Sequence, residues 1–187
     1  MAHFLGAWAI ATALVAGSLQ IRALDGSVLH PLEPAGLANV LFFIATDCPV
    51  ANAYAPEIQR ICRASAANGI ACSLVYEDVT VTPSEVRKHL EEYRYHDVAA
   101  AIDADRSLAA AVHATVTPQA VVVDRRGTVR YSGRIDNLYA ALGHPRRVVT
   151  AHDLQDALNA IVAGKPVVTP ETQTIGCYIV PADLRRK

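Results

Sequence analysis

Between positions 38 and 45 the chain reads Ala38-Asn39-Val40-Leu41-Phe42-Phe43-Ile44-Ala45, an almost unbroken apolar and partly β-branched stretch. That pattern predicts a strand covered on both faces, as in the parallel part of an α/β sheet. Cys48-Pro49 then opens a helix running to about Ala66, closed by Asn68-Gly69. Ile70-Ala71-Cys72-Ser73-Leu74-Val75-Tyr76 predicts a second buried strand. Thr82-Pro83-Ser84-Glu85 combines a capping box with proline at the first helical position, and the helix it starts sets Val86, Leu90 and Tyr93 on one stripe.

Farther on, Ala99 to Ile102 predicts a short strand and Asp105 to Ala114 a short helix. Gln119 to Asp124 and Thr128 to Ser132 flank Arg125-Arg126-Gly127 and read as a β-hairpin. Thr150 to Ala163 is a final amphipathic helix, with Leu154, Leu158 and Ile161 inward and Gly164 and Pro166 beyond it. From Val167 onward there is proline punctuation and no period. The order β-α-β-α-β-α-β-β-α predicts an α/β fold, a mixed central sheet with helices on both faces.

Ahead of this pattern, Phe4 to Ala16 is almost wholly apolar and is followed by small residues at Ala16-Gly17-Ser18. The length suits a secretory leader over residues 1–20 and is short for a membrane span, although Met1-Ala2-His3 carries no Lys or Arg. The alternative is an N-terminal buried helix. With 52% apolar and 19% charged residues the composition is globular, and a net charge of −1 gives no drive toward nucleic acid or anionic lipid. Four cysteines, Cys48, Cys62, Cys72 and Cys177, are too scattered for a disulfide scaffold, and no zinc-type spacing appears. No metal or other cofactor is implied.

Cys48 carries the candidate chemistry. A sulfur at a helix N-terminus faces unpaired N–H groups and the positive end of the helix dipole, which favour thiolate over thiol. Asp47 works the other way unless it points aside. Pro56 falls inside the predicted helix, eight residues after Cys48, where it must kink the backbone. Val116-Thr117-Pro118 stands just before a buried strand and is the kind of step that holds a cis peptide.

In these features the sequence resembles the thioredoxin superfamily, whose first helix starts at the reactive cysteine, carries a kinking proline eight residues on, and lies beside a cis-proline. The stretch Thr46-Asp47-Cys48-Pro49-Val50-Ala51-Asn52-Ala53-Tyr54-Ala55-Pro56 is similar to redoxin-domain proteins of the alkyl hydroperoxide reductase/thiol-specific antioxidant class. So are Val116-Thr117-Pro118, Tyr131-Ser132-Gly133-Arg134-Ile135-Asp136 and Thr174-Ile175-Gly176-Cys177. The resemblance implies a thioredoxin-like domain over residues 21–165, a cis Thr117-Pro118 bond, and a tail, 166–187, carrying Cys177. It also sets departures in view. Thioredoxin's second cysteine would fall at Ala51, so a local CxxC dithiol is excluded. Typical peroxiredoxins have Thr or Ser where Ala45 stands, with Thr46 one place late, and Arg134 is the nearest candidate for their arginine. A structural ion pair between Arg134 and Asp136 is the plainer expectation.

The site expected from these readings is Cys48 as nucleophile, Thr46, Thr117 and Pro118 around it, and Cys177 as the candidate resolving thiol. Cys62 lies fourteen residues on in the same helix, about 21 Å along an ideal axis, and Cys72 reads as a small buried hydrophobe. The expected function is thiol-based oxidoreduction on a disulfide protein partner or a peroxide, reset by an external thiol reductant in an exported, periplasmic or secreted setting. Two other readings stay open: a binding module that kept the fold without the chemistry, and copper handling of the Sco type. The second lacks its paired cysteine because position 52 is Asn52, although His113 could approach. The histidines, unpaired on any helix face, read as solvated or capping groups.

Overall fold

The apolar stretch at 38–44 becomes the middle strand of the sheet, as its two-sided burial demands. In the computed structural model residues 19–179 are described. The elements in chain order are β1 (Ile21–Arg22), β2 (Val28–Leu29), β3 (Ala38–Ile44), α1 (Pro49–Ala53), α2 (Ala55–Ala66), β4 (Ile70–Tyr76), α3 (Pro83–Glu92) and β5 (Ala99–Ile102). They continue with α4 (Ser107–Ala111), β6 (Val116–Thr117), β7 (Gln119–Asp124), β8 (Val129–Gly133), β9 (Tyr139–Ala141), β10 (His144–Pro145), α5 (Asp153–Val162) and β11 (Cys177–Tyr178). The predicted leader, residues 1–20, lies outside the described residues except for its last two. Among the described residues no helix is long and apolar enough to cross a membrane.

Five strands form the main sheet in the order β5-β4-β3-β7-β8. The β5-β4-β3 side is parallel and the β3-β7-β8 side antiparallel, as the strand-helix order predicts. Alternate residues of β3 enter two separate cores. Val40, Phe42 and Ile44 pack with Ile58 and Ile61 of α2, Val86 of α3 and Leu154 and Leu158 of α5. Leu41 and Phe43 pack with Leu108 of α4, Val112 and Ile179. This period-two split is what puts helices on both faces.

The helix expected over 48–66 is two helices. Tyr54 closes α1 and caps α2, and Pro56 sits in the first turn of α2, where its missing N–H costs no hydrogen bond. The predicted capping box of α3 forms, with Thr82 Oγ1 accepting from Glu85 N (3.3 Å) and Glu85 Oε2 from Thr82 N (2.8 Å). Helix α5 starts at Asp153 rather than 150, because Asn137 Oδ1 takes the N–H groups of Thr150 (2.9 Å) and Ala151 (3.1 Å). Helix α4 is short: Asp103 captures the N–H groups of Leu108 and Ala109, and His113 turns left-handed at φ 56° just past the far end.

The segment beyond Val167, expected to be without regular structure, returns to the sheet. Glu171 bridges Ser132, and Thr172 Oγ1 accepts from Arg134 N at 3.0 Å. A Cβ on Gly133 would collide with Thr172, so glycine there lets the returning chain lie against β8. The segment ends as β11, paired antiparallel with β6.

Candidate functional site

Strand register assembles the site at one end of the sheet, beyond the C-terminal ends of β3 and β4. Because β3 and β4 are parallel, Ile44 and Tyr76 are partners and the turns after both strands lie side by side. Phe43 pairs with Gln119, so Pro118, one residue before β7, comes to the same end. The Thr117-Pro118 peptide is cis, as expected. Gln119 fixes the segment in front of it: Oε1 accepts from Thr115 N (2.9 Å) and Val116 N (3.3 Å), while Nε2 donates to Ser132 Oγ (2.9 Å).

Cys48 is the N-cap of α1, with Pro49 as the first helical residue. Its backbone oxygen accepts from Asn52 N at 3.0 Å. Its side chain is 1% exposed, and Sγ donates to the Thr117 carbonyl oxygen at 3.3 Å. Over it lies Cys177, whose Sγ donates to Cys48 Sγ at 3.0 Å. Both thiols are free. The antiparallel pairing sets Cys177 opposite Thr117, and Ile179 N donates to Thr115 O at 2.9 Å. A Cβ on Gly176 would run into the Thr117 carbonyl, so this close pass needs glycine. Thus Cys48, Thr117, Pro118 and Cys177 share one place. Thr46 meets the site through its backbone, its carbonyl accepting from Asn52 Nδ2 at 3.1 Å.

The charges are arranged around Cys177. Burial raises its thiol to about 12, reinforced by the hydrogen bond to Cys48 and by negative charge on Cys48, Asp47 and Glu77. Glu77 follows β4 directly and is 5% exposed. Burial pushes its carboxyl up to about 7 against the opposing pull of Arg106. Glu77 Oε2 and Arg106 Nη1 are both buried without a hydrogen-bond partner, although Arg106 Nε donates to the Glu77 carbonyl at 3.0 Å.

Several groups here escape a residue-by-residue reading. Asn52 Oδ1 contacts His89 Nε2 at 2.9 Å, and His89 Nδ1 contacts the Tyr76 hydroxyl at 2.9 Å. Since the amide oxygen only accepts, Nε2 carries the proton and Nδ1 accepts from Tyr76. His89 is therefore a buried bridge from the Cys48 turn to α3 and β4, not the solvated or capping group expected. Burial lowers its pKa and keeps the ring neutral. At the helix kink the Tyr54 hydroxyl donates to Asp136 Oδ1 at 2.7 Å. Arg134 pairs with Asp153 (Nε–Oδ2 2.7 Å), not with Asp136, whose Oδ1 accepts from the Tyr54 hydroxyl and Leu138 N. The spacing Cys48-x-x-x-Asn52, one helical turn, was the available signal for Asn52; nothing local signals His89 or Glu77.

Among the described residues one triad of potential metal ligands comes together, Glu57, Asp136 and His152, and it contains neither sulfur. His113 is exposed and lines a cavity with Val112, Thr115 and Tyr178 that includes neither Cys48 nor Cys177.

The model of the AhpC/TSA family matches residues 29–132, more than half of the chain and the part that carries Cys48, Pro56 and Pro118. The chain belongs to the AhpC/TSA family. This is a family of thioredoxin-fold, thiol-based oxidoreductases, in line with the resemblance read from the sequence. No curated protein matches the sequence. A hypothetical protein from Sinorhizobium meliloti is similar in structure at a TM-score of 0.73 and 24% identity, covering 86% of this chain and 89% of its own. An uncharacterized conserved protein from Geobacillus kaustophilus gives the same TM-score, 0.73, at 24% identity, covering 87% and 88%. A secreted disulfide oxidoreductase from Mycobacterium tuberculosis aligns at 0.55 and 18% identity over 79% of this chain and 96% of its own. At these identities the likeness is one of fold.

Proposed function

We propose that this AhpC/TSA-family protein is a thiol–disulfide oxidoreductase whose working couple is Cys48 and Cys177, Cys48 being the nucleophile and Cys177 the resolving thiol. The observation that carries the reading is the 3.0 Å separation of the two sulfurs, across 129 positions of sequence. A sulfur pair that close needs little movement to reach a disulfide length of about 2.05 Å.

With β11 in place, Cys48 is buried beneath it, and the Cys177 proton is held tightly. Lifting β11 from β6 removes both restraints. It uncovers Cys48 and frees the edge of Val116–Thr117 for an extended stretch of a partner. The Cys48 thiolate attacks one sulfur of the partner's disulfide, and the partner's other sulfur leaves as thiolate and takes a proton. Cys177 then gives up its proton and attacks Cys48 Sγ, releasing the partner as a dithiol and leaving Cys48–Cys177 oxidised. An external thiol reductant returns the pair to two thiols.

The site favours a disulfide over a peroxide as oxidant. Cys48 Sγ lies between the Thr117 carbonyl and Cys177, and Arg134 is held by Asp153. The apolar stretch at Phe4 to Ala16, of a length that suits a secretory leader, supports an exported setting, where partner disulfides persist. The test is turnover with dithiothreitol, on insulin disulfides and on hydrogen peroxide in parallel. Insulin reduction is expected, abolished by Cys48→Ser and lowered roughly tenfold or more by Cys177→Ser. Peroxide turnover that survives Cys177→Ser would make the protein a peroxidase resolved externally, and no turnover of either substrate would make it a binding module.

A further inference from the structure

Two cysteines remain outside this couple, and the fold sets them face to face. On β4 the alternation of side chains puts Ile70, Cys72 and Leu74 on the surface that α2 covers. On α2 the inward stripe is Ile58, Ile61, Cys62 and Ser65. Cys62 is 8% exposed and Cys72 half-buried, and Cys72 packs against the core cluster that contains Cys62. Both line an open cleft of about 520 Å³ whose rim carries Arg63, Arg94 and His96, with Asp97 the one acid among the lining residues.

We propose that Cys62 and Cys72 form a second dithiol–disulfide couple, which exchanges in this cleft with an anionic low-molecular-weight disulfide of the glutathione type. A cleft of that volume admits a small peptide-like disulfide arm but no protein loop with its flanks. The two arginines on the rim supply the partners that carboxylates of such a molecule need.

The order of attack follows from access. Cys72 is the more exposed sulfur, so its thiolate attacks the small disulfide, RS–SR. A Cys72–SR bond forms, the S–S bond breaks, and RS⁻ leaves and takes up a proton. Until then the neighbouring Cys72 and burial push the Cys62 thiol up, with Arg63 opposing. Capping Cys72 removes that neighbouring charge. Cys62 then loses its proton to solvent and attacks Cys72 Sγ, and the second RS⁻ departs and is protonated. In sum one small disulfide is reduced to two thiols, and Cys62 and Cys72 lose two hydrogens to a new S–S bond tying α2 to β4.

The experiment treats the folded wild-type protein and the Cys48→Ser/Cys177→Ser variant with oxidised glutathione, blocks remaining thiols, and maps the peptides. A peptide joining Cys62 to Cys72 is expected in both proteins, and Cys62→Ala should instead trap one glutathione on Cys72. Replacing both arginines, Arg63→Gln with Arg94→Gln, should slow oxidation by glutathione disulfide roughly fivefold at low salt. It should leave oxidation by uncharged hydroxyethyl disulfide unchanged. Recovery of Cys62 and Cys72 as unlinked thiols in both proteins overturns the couple. Linkage whose rate ignores the two arginines overturns the assignment of the anionic disulfide.

Discussion

Glu77 is a buried carboxyl whose charge acts on Cys177. Its carboxyl stands at about 7 in the fold against an ordinary 4.5, with burial as the leading cause. The folded state thus holds this proton more tightly than the unfolded chain. The sign follows: stability falls as pH rises from about 4.5 through about 7, and the cost is then constant. Glu77→Gln removes the penalty. Urea unfolding at pH 8 should show the variant more stable than wild type by about 1–3 kcal/mol, with the difference shrinking toward zero near pH 4.5. The same change removes a negative charge that raises the Cys177 thiol, so the apparent Cys177 pKa followed by alkylation should drop above pH 7. No local pattern betrays Glu77. It follows an apolar strand in an acidic turn, and only the parallel register of β3 and β4 brings it to the sulfur pair. Cys48 and Pro118, by contrast, were legible, because a cysteine capping a helix and a Thr-Pro step before a buried strand have physical signatures within a few residues.

At the scale of elements, β11 sets Cys177 against Cys48. Its two residues pair with β6, and Gly176 lets the chain pass against the Thr117 carbonyl where any side chain would collide. Gly176→Ala should push β11 away. Iodoacetamide labelling of Cys48 in the folded protein should then rise roughly tenfold or more, while formation of the Cys48–Cys177 link slows. Unchanged labelling of Cys48 would mean that β11 does not gate it. Strands β3, β4, β5 and β7 were readable, since each is a short apolar run with its own boundaries. The kink at Tyr54 was foreseen as a strain at Pro56, although not as a full break between α1 and α2. Strand β11 was invisible for a physical reason. Two residues have no period, and what stabilises them is β6, itself two residues long and 60 positions away in register.

For the whole molecule, the mixed sheet with two helical faces came out as the order of elements predicts, since binary patterning and short connections leave few topologies. The site did not follow from the same information. Its upper half is delivered by a C-terminal segment that has no amphipathic signal, and its support runs through a Thr46–Asn52–His89–Tyr76 chain joining a turn, two helices and a strand. Long-range closure of this kind is written in contacts between elements rather than in any one of them. The central claim is that Cys48 and Cys177 of one chain form the redox couple. Peptide mapping of the folded protein after mild oxidation, with remaining thiols blocked, tests it directly. A peptide joining Cys48 to Cys177, in protein that still migrates as a single chain without reductant, is the expected result. Recovery of Cys177 as a free thiol while Cys48 is oxidised or bound to an external thiol would contradict it.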